Sequence, residues 1–279
     1  MSPPRDLRAR LAAGGTLLAD GATGTFLQER GLPLKTSPEA WNLERPDEVR
    51  GVAAAYAAAG ADLVFTNTLG GSPLRLAAHG LEDRCVAINR AAAALAREGA
   101  GESVIVVGSI GPCGQLMKPM GTVTADEVKA GFAQQARALV EGGADALGIE
   151  TMIDLNEAVL AVQAAREALP DGIVLACATF NPSPRGWFTV MGHSVQAVAM
   201  GLAAAGADVV GSNCGQGIAD MVDVAREFER YATKPRIIQA NAGLPAVREG
   251  RLHYPGKPKD LAAVVPDLKR MGVQIIGGC

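Results

Sequence analysis

The sequence predicts an α/β protein, a closed barrel of eight parallel strands ringed by helices, and three observations predict it. The chain has 279 residues, about the size of one such barrel. A short motif recurs: Gly60-Ala61-Asp62, Gly143-Ala144-Asp145 and Gly206-Ala207-Asp208 each follow an Ala-rich amphipathic stretch and precede a short apolar run, and Gly272 before Val273 is a looser fourth copy. The physical reading is a helix ended by a glycine, a tight turn, then a buried parallel strand. Placing the remaining apolar runs between these copies gives a strict alternation of strand and helix, which means a parallel sheet.

In chain order the strands are expected at residues 16–20, 62–66, 104–108, 146–150, 173–179, 208–213, 236–240 and 273–277. Helices are expected between them at 46–59, 83–97, 125–142, 155–168, 195–205, 218–231 and 260–271. Pro46 suits the first turn of the first helix, and Thr124 with Glu127 forms a capping box for the third. Pro266 is expected to kink or shorten the last. Eight strands at this length favour a (β/α)8 TIM barrel over an open sheet, with residues 1–279 as one domain. The sequence stops at the eighth strand, so the expectation is a barrel truncated there, its final helix missing. The longest irregular stretches, 26–45, 69–82, 111–123 and 242–259, all follow strands, where barrel enzymes carry their active-site loops.

Composition narrows the function. At 48% hydrophobic and 4% aromatic, the core is built from Ala, Val, Leu and Ile. A net charge of −3, with no basic stripe interleaved with aromatics, argues against nucleic acid as the main partner. The stretch from Met1 to Gly15 lacks the apolar core of a signal peptide, and no apolar run of about 20 residues would span a bilayer. A cytoplasmic protein is therefore expected, in which five cysteines serve metal binding, catalysis or burial rather than disulfides.

Barrel sites form at the C-terminal ends of strands. Those ends carry Asp20, Asn67, Gly111, Glu150, Asn181, Cys214, Asn241 and Cys279, a concentration of polar and thiol groups that points to an enzyme. Strands six and eight lie close around a barrel, so Cys214 and Cys279 are either two soft metal ligands or two ordinary buried cysteines. The paired glycines before Cys279 would let the backbone turn tightly there. Cys85 and Cys177 read as core, and Cys113 as loop packing. Asp20-Gly21-Ala22-Thr23-Gly24-Thr25 closes the first strand. It is either a backbone cradle for a small anion such as a carboxylate or a plain turn. It does not fit a dinucleotide-binding loop, because the third glycine is absent and no helix is expected to follow promptly. Glu150, ending a wholly apolar strand, either accepts from a substrate ammonium group or pairs with a neighbouring loop. Asn67 and Asn241 either bind substrate or cap loops. His79, His193 and His253 fall in loops or helix starts and form no ligand pair.

Taken together, these motifs resemble the homocysteine S-methyltransferase family over essentially the whole chain. The likeness rests on Asp20-Gly21-Ala22-Thr23-Gly24-Thr25, Thr66-Asn67-Thr68, Gly108 to Pro112, Glu150-Thr151, Asn213-Cys214, Asn241-Ala242-Gly243-Leu244-Pro245 and Gly277-Gly278-Cys279, in order. It is nearest to the homocysteine-binding barrel of cobalamin-dependent methionine synthase, a subgroup that His79-Gly80-Leu81-Glu82-Asp83 supports. The resemblance implies a Zn2+ cofactor held by three cysteines, with Cys214 and Cys279 matching the first two; the third normally follows at once, in a Gly-Gly-Cys-Cys motif. It implies that amides of Gly21, Ala22 and Thr23 hold the carboxylate of homocysteine, while Glu150 and the Asp20 region hold its ammonium group. It leaves the methyl donor open among methyl-cobalamin on a separate protein, S-methylmethionine and a betaine-like donor. Two rival readings are a metal-dependent carbon–carbon lyase on the same fold and a non-catalytic thiol- or metal-binding partner subunit.

Overall fold

Each apolar run pairs side by side with the next in sequence. In the computed structural model, which describes residues 5–248 and 251–279, the strands β1 (Leu17–Leu18), β2 (Leu63–Phe65), β3 (Ile105–Ile110), β4 (Ala146–Met152), β5 (Ile173–Ala178), β6 (Val209–Cys214), β7 (Arg236–Ala240) and β8 (Val273–Gly278) form one parallel sheet. Its order is sequential, with β8 returning to pair with β1. A bridge between Ala19 and Leu63 closes the ring, supported by the Asp62 N–H donating to the Leu18 carbonyl at 2.7 Å. The helices between strands are α1 (Pro46–Ala58), α2 (Cys85–Ala100), α3 (Ala125–Glu141), α4 (Leu155–Ala168), α5 (Val195–Ala205), α6 (Ile218–Tyr231) and α7 (Pro258–Arg270). This is a (β/α)8 TIM barrel. Among the described residues, no helix is long and apolar enough to cross a membrane.

Alternation along the strands separates two cores. Leu63, Ile105, Ile173, Leu175, Val209 and Ile275 fill the barrel interior, and Leu7 and Leu11 of a short N-terminal helix, Leu7–Ala12, close its lower end. The outward-facing residues pack beneath the helices in a larger cluster that includes Phe132, Leu139 and Phe228. Small residues set the helix-to-sheet spacing: a Cβ on Gly108 would lie 3.0 Å from Leu139 of α3.

The repeated Gly-Ala-Asp motif is a strand clamp. Asp62 accepts from the Leu18 N–H at 2.8 Å, Asp145 from the Val106 N–H at 2.8 Å, and Asp208 from the Val174 N–H at 3.0 Å. Each carboxylate also pairs with an arginine, respectively Arg10, Arg97 and Arg166. So β2, β4 and β6 each hold the start of the preceding strand. In the looser fourth copy the roles are exchanged, and Arg236 at the start of β7 donates to the Gly272 carbonyl from Nε and Nη2, both at 3.3 Å.

Several boundaries depart from expectation. The first strand is shorter than 16–20, because Ala19 turns from β8 towards β2 and Asp20 uses its carboxylate on the Phe65 N–H. β4 runs on to Met152 through a register shift after Ile149. In α2, residues Glu82–Arg84 form a separate 3-10 turn, and the helix continues to Ala100 before Gly101 at φ 76° ends it. Pro266 does not shorten α7, which starts earlier, at Pro258, and runs unbroken to Arg270. A helix does follow the first-strand motif promptly: Thr23–Glu29 begins inside it. The expected loops also hold the short helices Trp41–Glu44 and Pro73–Leu76 and a hairpin pairing Ala246–Arg248 with Arg251–His253. Residues 1–4 of the stretch read against a signal peptide, and Glu249 and Gly250 of the 242–259 loop, lie outside the described residues.

Candidate functional site

The loops that leave the C-terminal strand ends enclose a cleft of about 930 Å3. Asp20 with the following Gly21-Ala22-Thr23 turn, Glu150, Cys214, Asn241 and Cys279 all line it. Every residue that the sequence marked as metal-binding or substrate-binding thus reaches one cavity.

Cys214 ends β6 and Cys279 follows β8, which brings the two Sγ atoms to 2.8 Å. The glycines before Cys279 do not act as a turn. They lie within β8, and a Cβ on Gly277 would stand 2.8 Å from Ala19 Cβ and 2.9 Å from the Asp20 carbonyl. Their role is close approach of β8 to β1, which sets Cys279 beside the Asp20 turn. Cys214 itself adopts φ 63°, as does Thr151 at φ 59°. Such values are uncommon outside glycine and unusual for a β-branched residue. Asn213, wholly buried, holds Thr151 and reaches both thiols. Its Oδ1 accepts from the Thr151 N–H at 2.7 Å, and its Nδ2 donates to Thr151 Oγ1 at 2.9 Å, with Cys214 and Cys279 sulfurs at 3.7 and 3.6 Å. The hydrogen bond from Cys279 draws Cys214 below the ordinary thiol range, while the same contact and burial push Cys279 up.

The donor set has the softness that zinc selects, two thiols aimed at one point. Among the described residues searched, no group of three or more His, Cys, Asp or Glu side chains is placed to hold a metal ion. The residues therefore fit zinc in kind and would offer it two thiol ligands. The remaining cysteines are elsewhere. Cys85 and Cys177 are buried in the core, and burial pushes the Cys85 thiol up to about 11. Cys113 is buried in the 111–123 loop, donates to the Gln115 carbonyl at 3.4 Å, and is pushed up to about 12 by burial.

Beside the thiols the floor is acidic and buried. Burial raises Glu150 to about 8, and its Oε1 has no hydrogen-bond partner, while Oε2 accepts from Asn213 at 3.4 Å. Asp20 is also raised by burial, less so for the Phe65 N–H it accepts at 2.7 Å. The Tyr56 hydroxyl donates to the Ala22 carbonyl at 3.1 Å and pins the turn from below. Asn67 is structural: its Nδ2 donates to the Pro38 carbonyl at 2.8 Å and to Asn42 Oδ1 at 2.9 Å, fastening the first loop to the second. Asn241 donates to the Gly215 carbonyl at 2.9 Å, which also holds a loop in place. His79 lines the cleft, His193 meets Asp154 at 3.3 Å, and His253 is exposed. Reading only the last residue of each strand misses Ser109 and Gln239, which line the cleft one position earlier. The alternation of inward and outward residues along β3 and β7 is the signal that finds them.

Comparison with known proteins agrees with this geometry. A family model described as homocysteine S-methyltransferase matches residues 17–279. The methionine synthases of Mycobacterium leprae and Mycobacterium tuberculosis are each 30% identical to the chain over 277 and 280 residues, 94% of its length. The chain spans only 23% of each of those proteins. The metallated form of the homocysteine methyltransferase MmuM from Escherichia coli superposes with a TM-score of 0.80 at 26% identity, covering 98% of this chain and 94% of that one. With the motifs in order, the thiols convergent and the family model matched from β1 onward, the chain belongs to the homocysteine S-methyltransferase family.

Proposed function

We propose that residues 1–279 form one homocysteine-binding barrel that transfers a methyl group to the thiol of homocysteine, giving methionine, with zinc held by Cys214 and Cys279. The observation that carries this reading is the meeting of these two thiols in the same cleft as a buried acidic floor. The family motif that Gly277-Gly278-Cys279 resembles adds a third cysteine ligand directly after this position. Zinc, when bound, supplies a Lewis acid that keeps the substrate sulfur deprotonated at neutral pH, where a free thiol of pKa ~8.5 is mostly protonated.

The chain's own residues orient the substrate. Amides of Gly21, Ala22 and Thr23 face the carboxylate, and Glu150, with its unpartnered Oε1, accepts from the ammonium group. Holding both ends of the amino acid aims its sulfur at the thiol pair and lowers the entropic barrier to attack. The sulfur lone pair then forms the new S–CH3 bond as the donor's bond to that methyl breaks, and the donor leaves with the electron pair. The likeness to methionine synthases favours methyl-cobalamin as donor. A soft thiol pair suits this chemistry better than a lyase needing a hard, oxygen-ligated cation. The test is zinc content together with homocysteine methylation across a panel of methyl-cobalamin, S-methylmethionine and betaine. Cys214→Ala is expected to lose both bound zinc and turnover, and full turnover without zinc would sink the reading.

A further inference from the structure

The cleft floor contains a side chain that no role described above uses. Gln239 lies on β7 two residues after Ile237, which belongs to the barrel interior, so alternation turns it inward. It is 3% exposed and lines the cleft. Its Oε1 is buried without a hydrogen-bond partner. The other buried amides at this level are engaged: Asn67 donates to Pro38 and Asn42, and Asn213 bonds Thr151 at both ends. Buried polar atoms are almost always paired, so an orphan in a ligand cavity marks a partner that the ligand brings. Two buried oxygens lining this cleft are orphaned, Gln239 Oε1 and Glu150 Oε1. Both are acceptors. A carboxylate would face them with repulsion, and a deprotonated sulfur has no proton to give. An ammonium group carries three N–H donors, enough for both.

We infer that Gln239 is a further substrate-binding residue, accepting a hydrogen bond from the α-ammonium group of the amino-acid thiol alongside Glu150. This rests on the reading that homocysteine is the substrate. Gln239 then selects for an α-amino acid over thiols of similar length that lack the amine.

The test compares binding of homocysteine and of 4-mercaptobutyrate, its desamino analogue, by calorimetry with zinc-supplemented protein. Gln239→Leu keeps the volume and removes the acceptor. It is expected to weaken homocysteine about 10- to 100-fold and to leave 4-mercaptobutyrate within about 2-fold, as for a site built around a specific polar group. Gln239→Glu retains an acceptor oxygen and is expected to restore most homocysteine binding. An unchanged homocysteine affinity in Gln239→Leu overturns the inference, and so does an equal loss for both thiols, which would mean that Gln239 only shapes the cavity. Loss that persists for 4-mercaptobutyrate but vanishes for 3-mercaptopropylamine, the analogue without the carboxylate, would assign Gln239 to the carboxylate and also overturn it. If the wild type binds no homocysteine, the substrate assignment itself fails, and this inference with it.

Discussion

Thr151 and Cys214 hold left-handed backbone conformations near the ends of β4 and β6, and one buried side chain, Asn213, bonds the Thr151 backbone and reaches the Cys214 thiol. Strain of this kind persists only where the surroundings over-determine it, and it gathers at functional sites. Asn213→Ala would leave the Thr151 N–H without its acceptor and open a small cavity, at a cost of roughly 2–4 kcal/mol. Urea unfolding is expected to show that loss, together with weaker zinc retention in the folded variant; unchanged stability would mean that Asn213 is not the clasp. The cysteines also separate by environment. Cys214 and Cys279 reach the cleft, whereas Cys85, Cys113 and Cys177 are at most 1% exposed. In metal-free folded protein a small alkylating reagent is expected to label two thiols quickly and three only on unfolding, as read by mass spectrometry. The thiol pair was legible in sequence as two cysteines at strand ends. Their clasp was not, because strand-end position says nothing of which neighbouring side chain fixes the backbone.

Elements were legible in proportion to their length. Seven helices of three turns or more carry a readable apolar period, and all stand close to where it places them. The four-residue helices Trp41–Glu44 and Pro73–Leu76 are too short to show one. Local propensity alone overstates the effect of Pro266: it sits on an exposed part of α7, a helix tied to the barrel by buried Leu268. Pro266→Ala should restore one backbone hydrogen bond and raise stability by ~1–3 kcal/mol. A change in thermal midpoint checks this, and a lower midpoint would contradict it. A second element-level contact joins α4 to the third loop, where Glu157 accepts from the Cys113 N–H at 2.6 Å. Burial raises this carboxyl above its ordinary range, against the pull of Cys113. A raised acid binds its proton more tightly in the folded state, so its contribution is present below the unfolded value of ~4.3 and is lost as pH climbs towards the folded value. Glu157→Gln keeps the acceptor and has no proton to lose. As pH rises above the ordinary carboxylate range, the wild-type urea midpoint is expected to fall further than that of Glu157→Gln; parallel curves would contradict it.

At the scale of the molecule, the repeated motif explains both the fold's legibility and its assembly. Gly-Ala-Asp predicted where strands begin. It did not reveal that each aspartate binds the strand before its own, because that contact is made to a neighbour 34 to 44 residues away in sequence. The clamps sit at the strand starts and the cleft at the strand ends, which leaves one rim to hold the barrel and the other to carry chemistry. The acidic floor and the thiols come from β1, β4, β6 and β8, so the site exists only once the ring has closed. In the proposed reaction, substrate sulfur joins the metal held by Cys214 and Cys279. Zinc K-edge absorption of the zinc-loaded protein with selenohomocysteine tests it most directly. A zinc–selenium scattering path that arises on adding the ligand, and is lost in Cys214→Ala, is the predicted result; saturating ligand with no selenium in the zinc shell would contradict it.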